Sequence, residues 1–490
     1  MSAPLSAVSC VPRRARLAAS LAIALGATLS VAQAAAPGID KHAPPVLRGA
    51  RADGNRASRP SATLRNPTFT THHVTTCADD GSAGSLRMII ADTVNTVSGD
   101  VIDFTQLPMQ CSTITLAPAG GVMQIHQDSL YLVGPGADQL TIDGGNQSRV
   151  LYHFGAGTLG ISGLSIANGL YDGSPKPAGG CIYSAANVSL VDSTISHCSV
   201  TSSSLSNPAA GGGVFATGSL SLINSMLVDS HAFAQFGVNT FGGAAFGVSG
   251  FIAHGSEISG NSSFAIGGGT GYGGGVVAGG TIDIESSTIA DNRSDAIGAL
   301  ELVGGPAELA TITNSTISGN VGSTEWGGIW TNESTTLANS TVAFNRSPFG
   351  TTKKGDGLYG TAAATLTLKS SIIAGNWRAD GQSDLDGTPG VTINGSNDLI
   401  TSSAIGFPPN TITACPQLDP LLNNGGNTRT HALRHTSPAI DQGDAGTLTV
   451  DQRGAQRTVG MAADIGSVER QPGELDERIF ANGFDALCDQ

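Results

Sequence analysis

The sequence predicts an all-β chain folded mainly as a right-handed parallel β-helix, a solenoid with about 30 residues per coil. Composition is the first observation. Of 490 residues, 67 are glycine, 13% are charged and 5% are aromatic. Abundant serine, threonine and asparagine accompany them, which suits many short strands joined by tight turns.

The second observation is an internal repeat. Related segments that end in Ser-Thr-Ile occupy 188–195, 282–289 and 310–317. Aligning these with weaker copies places seven apolar residues in one column, in six steps over 178 residues, so the mean period is about 30. The column comprises Ile195, Leu227, Ile258, Ile289, Ile317, Val342 and Ile373.

The third observation is the pattern inside each repeat. A glycine-rich turn, such as Gly179-Gly180 or Gly242-Gly243, precedes three short strands with no helical pattern between them. Alternation with period two places apolar residues inside and Ser, Thr or Asp outside. A β-propeller needs four antiparallel strands in ~40–45 residues, and these coils are too short for that.

Asparagines recur three residues after five of the aligned apolar positions. Stacked at the ~4.8 Å strand spacing, their amides can form a hydrogen-bonded ladder. Asparagine also tolerates the left-handed backbone of a tight turn. We therefore predict a structural role for Asn261, Asn292, Asn320, Asn345 and Asn376.

The N-terminus has the features of a secretory signal. Arginines precede an apolar run at 17–31, and Ala32-Gln33-Ala34 supplies a small-residue cleavage pattern. No later apolar run approaches the ~18 residues of a membrane helix. We expect a secreted or cell-surface protein with no transmembrane segment after signal cleavage.

Solenoid ends expose strand edges and need caps. Ser85 is suited to N-cap an amphipathic helix whose apolar face carries Leu86, Ile89, Ile90 and Val94. The predicted organisation is a signal peptide at 1–34, a flexible linker at 35–66, an N-terminal cap at 67–130, coils at 131–400, a C-terminal cap at 401–470 and a tail at 471–490.

Export favours disulfide formation. Six cysteines remain after signal cleavage, and the sequence alone does not settle their connectivity. Proximity along the chain favours Cys77–Cys111, Cys181–Cys198 and Cys415–Cys488.

Motifs at both ends of the chain resemble known families. Thr76-Cys77-Ala78-Asp79-Asp80-Gly81, with Ser85-Leu86-Arg87, resembles the CSLREA-type N-terminal cap, although Met-Ile-Ile follows Arg87 here. Ser437-Pro438-Ala439-Ile440-Asp441, Asp451-Gln452-Arg453-Gly454 and Asp464-Ile465-Gly466 resemble the choice-of-anchor Q domain. The resemblance implies a bacterial β-helix repeat protein. It implies an architecture rather than a reaction.

The net negative charge of the chain restricts the classes of ligand that it can bind. The formal net charge is −14, whereas nucleic-acid binding requires a basic footprint. An anionic polysaccharide would need a local basic patch or bridging cations. We therefore expect a polysaccharide or a surface protein as partner, and no nucleic acid.

The first candidate site is an aromatic column directly after the glycine turns. Glu301 belongs to this column and would be costly inside, so we expect the column to face outward. Exposed rings could stack on sugars. The alternative is an aromatic ladder that is buried or covered by loops. The ligand-binding candidates are Tyr183, Phe215, Phe246, Trp330 and Tyr359.

The second candidate site is acidic. Asp283 and Glu285 alternate with isoleucines and should face solvent, and one period below Glu285 lies His254. Such a group could perform acid–base chemistry or hold a cation, or could simply be a solvated polar face. We predict no cofactor and no dedicated metal site, and leave bound calcium open.

Polysaccharide lyases and hydrolases share this fold, but their motifs are missing here. The polygalacturonase pattern requires Gly-His-Gly, Arg-Ile-Lys and Asp-Asp within the coils. The nearest segments are Ala253-His254-Gly255 and, in the cap, Asp79-Asp80. The preferred hypothesis is a non-catalytic exported protein for adhesion or glycan binding. The alternative is a carbohydrate-active enzyme, a lyase or hydrolase with an atypical site.

Overall fold

The computed structural model describes residues 70–93, 99–173, 176–350, 355–361 and 364–474. Within these ranges the chain winds into a parallel β-helix, as predicted. Each full coil contributes one strand to each of three sheets, which we label C, A and B in chain order, and most coils add a strand to a fourth sheet, D. The predicted signal peptide and linker lie outside the described residues, as does Val94.

Sheets A, B and C form the walls of the solenoid. Sheet A contains twelve strands: Thr71–His73, Asp100–Asp103, Leu130–Val133, Thr158–Ser162, Asn187–Val191, Ser219–Ile223, Gly250–His254, Thr281–Glu285, Leu309–Thr313, Ser334–Ala338, Thr365–Lys369 and Thr392–Ser396. Sheet B contains Thr113–Thr115, Thr141–Asp143, Ser165–Ala167, Thr194–Ser196, Met226–Val228, Glu257–Ser259, Thr288–Ala290, Thr316–Ser318, Thr341–Ala343, Ile372–Ala374 and Leu399–Ile400. Sheet C contains Met123–Ile125, Leu151–His153, Ile182–Ser184, Val214–Ala216, Ala245–Gly247, Val276–Ala278, Leu300–Leu302, Ile329–Thr331, Leu358–Gly360 and Leu385–Gly387.

Two smaller sheets lie outside this wall. Sheet D contains Leu170–Asp172, Ser199–Ser202, His231–Ala234, Ser262–Ala265, Arg293–Ser294, Val321–Gly322, Arg346–Ser347, Trp377–Arg378 and Gly381–Gln382, the last pairing antiparallel. Sheet E contains Ala209–Ala210, Thr240–Phe241 and Gly271–Tyr272. We call the chain between a sheet D strand and the next sheet C strand a return segment.

The register follows the predicted repeat. In sheet B, Ile195 pairs with Leu227, and the column continues in steps of one coil to Ile373. Its seven members are at most 1% exposed and belong to one continuous hydrophobic core. Burial of such in-register aliphatic columns favours the solenoid, because each coil covers the apolar edge of its neighbour.

The predicted asparagine ladder is present at the turn between sheets B and D. Nδ2 of Asn261 donates to Oδ1 of Asn292 at 2.9 Å, and the contact repeats up the solenoid to Asn376. The left-handed backbone that we expected of the asparagines is adopted by the preceding residues instead. Gly260, for example, has φ of 71° and Asp291 of 58°.

A parallel serine ladder, which the sequence analysis did not identify, follows the turn between sheets A and B. The Ser287 amide donates to Oγ of Ser315 at 3.1 Å, and equivalent bonds link the coils on either side. Both ladders satisfy backbone amides that would otherwise be buried without a partner at the corners of the coil.

The N-terminal end carries the predicted cap helix. Helix α1 spans Leu86–Asp92, and Ser85 caps it by accepting a hydrogen bond from the Met88 amide. Leu86, Ile89 and Ile90 are buried against the first coils. None of the helices that the structure describes is long and apolar enough to span a membrane.

Arg87 links separate parts of the N-terminal cap through hydrogen bonds. Its guanidinium binds both carboxylate oxygens of Asp79, at 2.7 and 2.6 Å, and also the Gly121 carbonyl at 2.8 Å. The predicted Cys77–Cys111 disulfide joins the same region, and the predicted Cys181–Cys198 disulfide lies within the coils. Cys415 is also disulfide-bonded. Because Cys488 lies outside the described residues, its pairing with Cys415 stays a prediction.

The segment 416–474, which we call the C-terminal segment, lies along the outer face of sheet B. It contains the antiparallel hairpin of Leu418–Leu422 and Thr430–Leu433. Arg429 binds Glu257 at 2.8 Å and Asp291 at 3.1 Å, while Ser467 donates its amide to Thr341 at 3.1 Å. The segment therefore covers a side of the solenoid over several coils.

Buried charges hold the C-terminal segment in shape. Asp451 accepts hydrogen bonds from the Arg453 guanidinium and the Glu469 amide, both at 3.0 Å. Arg457, fully buried, donates to the Asp464 carbonyl at 2.9 Å. The charged residues of the Asp-Gln-Arg-Gly and Asp-Ile-Gly motifs thus have structural contacts.

Candidate functional site

The aromatic column lies on the outer side of sheet C, in register as predicted. Its rings stack in sequence: the centroids of Tyr183 and Phe215 are 5.3 Å apart and those of Phe215 and Phe246 are 5.5 Å apart. Tyr152 extends the stack by one coil, 4.6 Å from Tyr183. The column one residue earlier in each strand is buried in the core: Ile182, Val214, Ala245, Val276, Leu300, Ile329 and Leu358.

The expectation that the aromatic column is exposed is wrong. The five candidate rings of Tyr183, Phe215, Phe246, Trp330 and Tyr359 are between 1% and 8% exposed. The return segments fold back over sheet C and cover them. Phe241 packs edge-on against Phe246, and Trp326 lies 4.7 Å from Tyr359, centroid to centroid. The alternative of a covered aromatic ladder is therefore the one observed.

Glu301 shows that a side chain can face outward from its strand and still be buried. Side chains that point outward from sheet C are not exposed to solvent, because the return segments form a second layer over this sheet. Glu301 faces outward in its strand and is nevertheless only 3% exposed.

A buried arginine, which the sequence analysis did not identify, occupies the N-terminal end of the aromatic ladder. Arg149 is 2% exposed, and its guanidinium carbon lies 3.9 Å from the Tyr171 ring centroid and 5.0 Å from that of Tyr152. Its Nε donates to the Gly179 carbonyl at 2.7 Å. Burial lowers the pKa of Arg149 to about 10. These contacts are cation–π packing within the protein, so the arginine already occupies the ring faces.

The outer face of sheet A is open. Apart from two glycines, its outward side chains from Thr158 to Ser396 are half-buried or exposed, whereas the inward ones are buried except towards the last strand. The central column of this face comprises Tyr131, Gly160, Ser189, Ser221, Ile252, Asp283, Thr311, Thr336, Thr367 and Asn394. This face therefore presents a regular array of mostly hydroxyl and amide groups.

The second candidate site lies on this open face, and the structure brings its three residues together. His254 pairs in register with Glu285, as predicted. Its Nε2 lies 3.1 Å from Oδ2 of Asp283, on a diagonal to the neighbouring strand. The side chains of His254 and Asp283 are 35% and 45% exposed. A carboxylate can orient an imidazole for proton transfer, so the pair has the geometry of an acid–base dyad.

Several acids in the later coils are buried. Burial raises the pKa of Glu333, Asp356 and Asp398 to about 7. All three carboxylates are in residues with no exposed surface, out of reach of a polymer on the outside. Shifted pKa values also arise in structural networks, and these acids fit that case.

The described residues contain no group of three or more His, Cys, Asp or Glu side chains arranged to hold a metal ion.

Comparisons with known proteins are sparse. No protein-family model and no curated protein matches the chain. Among solved structures, it is similar to the crystal structure of pectate lyase Pel9A, with a TM-score of 0.45 and 14% identity. That match covers 82% of this chain and 98% of the other. The class that the strand topology defines is a parallel β-helix protein.

Proposed function

We propose that this chain is an exported β-helix protein that binds polysaccharide, without cleaving it, along the outer face of sheet A. One observation carries the proposal. The C-terminal segment covers much of sheet B and the return segments cover much of sheet C, whereas sheet A stays open along its length. The open face is also polar, which suits a hydroxyl-rich ligand.

The spacing of the face fits an extended polymer. Side chains on adjacent strands repeat at ~4.8 Å, so a chain laid across the strands meets equivalent groups at each step. Thr311, Thr336 and Thr367 form one such row. Each hydroxyl that binds a sugar contributes roughly 0.5–1.5 kcal/mol, so affinity accumulates along the row.

Export and the family resemblances belong to the same proposal. The signal-like N-terminus and the two described disulfides are typical of an oxidising compartment. We assign the ends of the chain to a CSLREA-like cap and a choice-of-anchor Q-like domain. The Arg87–Asp79 pair and the Asp451–Arg453 pair give those motifs a structural role. Adhesion through a surface glycan is the biological use that this arrangement favours.

The second candidate function is a carbohydrate-active enzyme. The contact between His254 and Asp283 favours it, together with Glu285 in the adjacent register position. In a lyase or hydrolase this group would supply the acid–base step. The non-catalytic hypothesis is preferred because the open polar face extends over many strands of sheet A, whereas the acid–base contact is a single diagonal pair on that face.

The test uses the mature protein and a panel of plant and bacterial polysaccharides, with and without calcium. Retention on the glycan and shortening of its chains are both recorded. The triple variant Thr311→Val, Thr336→Val and Thr367→Val keeps side-chain shape but removes the hydroxyl row. We expect its affinity to fall at least tenfold. The matched control changes Thr194 and Thr201 to valine, outside sheet A, and should bind like the parent protein.

The outcomes separate the two functions. Retention without shortening, lost in the triple variant only, supports the binding protein. Shortening that disappears in Asp283→Ala or Glu285→Ala would establish the enzyme instead. Absence of retention on every polysaccharide would overturn the proposed function.

A further inference from the structure

Tyr131 is an exposed aromatic side chain on the face of sheet A. It begins the central column and is 39% exposed. Its ring extends over Gly160 on the adjacent strand. A Cβ atom at Gly160 would lie 2.3 Å from Cδ1 of the ring and 2.9 Å from Cε1. A glycine is therefore required under the ring, which rests against the sheet backbone.

The surroundings of Tyr131 are amphipathic. Val133, two residues along the same face, is 41% exposed. Asp103 on the preceding strand is paired with His73 at 2.8 Å. Beyond Tyr131, the outward side chains of the next three strands carry no charge: Thr158, Ser162, Asn187, Ser189, Val191, Ser219, Ser221 and Ile223.

Charge along the face argues against an anionic ligand. Five strand steps beyond Tyr131, or ~24 Å, the column reaches Asp283, with Glu285 beside it. Lys369 is the one Lys or Arg among the outward side chains of the described sheet A strands. A polyanion would therefore meet carboxylates with little compensating positive charge.

We propose that Tyr131 is a stacking platform for a pyranose ring, and that the ligand of sheet A is a neutral polysaccharide lying across the strands from Tyr131 towards Asp283. This inference rests on the proposed function and names its ligand class. The ring supplies an apolar face for the C–H side of a sugar, and the serine, threonine and asparagine side chains bind its hydroxyls. The platform also fixes where the polymer begins its contact with the sheet.

The test measures dissociation constants for neutral hexasaccharides of glucose, xylose and mannose, and for hexagalacturonate with and without calcium. Tyr131→Ala should weaken binding of the neutral ligand at least tenfold, and Tyr131→Phe should retain it. Gly160→Ala should also weaken binding, because its Cβ displaces the ring without removing it. Phe349→Ala, which removes a 74% exposed ring elsewhere, is the matched control and should leave affinity unchanged.

The results distinguish this inference from the broader proposal. If the parent protein binds a neutral oligosaccharide and both Tyr131→Ala and Gly160→Ala bind it equally well, the platform is refuted while sheet A binding stands. Tighter binding of hexagalacturonate than of every neutral ligand would refute the ligand class. If the parent protein binds none of the oligosaccharides or polysaccharides, the proposed function fails and the inference fails with it. Unchanged thermal unfolding of the variants confirms that the fold is intact.

Discussion

Asn376 donates two hydrogen bonds to one oxygen of Asp384, from its backbone amide at 2.9 Å and from its side chain at 2.8 Å. Asp384 therefore occupies the position that the next asparagine of the ladder would take. The serine ladder ends in the same way, because the Ser371 amide donates to Oδ1 of Asp398 at 2.9 Å. A residue at the end of a ladder must accept but has no further coil to donate to, and aspartate meets that requirement.

The middle of the asparagine ladder should contribute strongly to stability. Asn320 donates to Oδ1 of Asn345 and to the Ile289 carbonyl, and accepts from Asn292. Asn320→Ala removes these three buried side-chain hydrogen bonds, so we expect unfolding free energy to fall by about 2–4 kcal/mol in urea denaturation. Asn394→Ala, at an exposed position, is the control and should change it by less than about 0.5 kcal/mol. Equal effects would show that the ladder adds nothing.

The end of the serine ladder should make stability depend on pH. Burial raises the pKa of Asp398 from 3.8 to about 7, although the Ser371 amide opposes the shift. Between these two pKa values the folded state holds a proton on Asp398 that the unfolded state releases. The stability that the protonated Asp398 contributes is therefore complete below about pH 4 and is lost as pH rises through about 7. The shift corresponds to at most about 4 kcal/mol.

Asp398→Asn keeps the acceptor for Ser371 and cannot ionise. We expect the variant to lose less stability than the parent protein between pH 4 and pH 8, as measured by thermal unfolding. Part of the dependence should remain, because burial also raises the pKa of Glu333 and Asp356. A variant with the full pH dependence of the parent would contradict the assignment to Asp398.

The fold was predictable because a solenoid repeats one local pattern. A single column of aliphatic residues, Ile195 to Ile373, sufficed to align the coils, and the structure has the same register. The same repeat predicted that His254 pairs with Glu285, and the structure has this pairing. Local periodicity carries this information because each residue contacts its equivalents one coil away.

The covering layers could not be predicted in the same way. The return segments vary in length from coil to coil, so the sequence did not show that Phe241 and Trp326 would lie over the aromatic column. The C-terminal segment was expected as a cap, and its contacts with sheet B join residues more than 100 positions apart, such as Thr316 and Gln452. Such contacts depend on tertiary packing rather than on a local pattern.

The contact between the C-terminal segment and sheet B should depend on Gln452. Its side-chain amide donates to Thr288 and Thr428, both at 2.9 Å, and its oxygen accepts from Thr316 at 2.6 Å. Gln452→Ala removes these three buried hydrogen bonds, two of which join the C-terminal segment to the solenoid, so we expect a loss of about 1–3 kcal/mol and faster proteolysis of the C-terminal segment. Gln139→Ala, at an exposed position, is the control. Unchanged proteolysis in Gln452→Ala would show that the segment is held by other contacts.

The aromatic ladder should act on stability and leave glycan binding unchanged. Phe215 is 1% exposed and stacks between Tyr183 and Phe246. Phe215→Ala removes a large buried side chain, so we expect unfolding free energy to fall by about 3–5 kcal/mol. Polysaccharide affinity, measured at a temperature where the variant is folded, should equal that of the parent protein.

Phe349→Ala provides the comparison, because the ring is exposed and its loss should change stability by less than about 0.5 kcal/mol. The opposite result for Phe215→Ala, full stability with reduced affinity, would mean that the ring reaches the ligand. That would require the return segments to open in solution, since they cover the column in the folded chain. The two measurements together therefore test whether a buried aromatic ladder and an exposed polar face have separate roles in this β-helix.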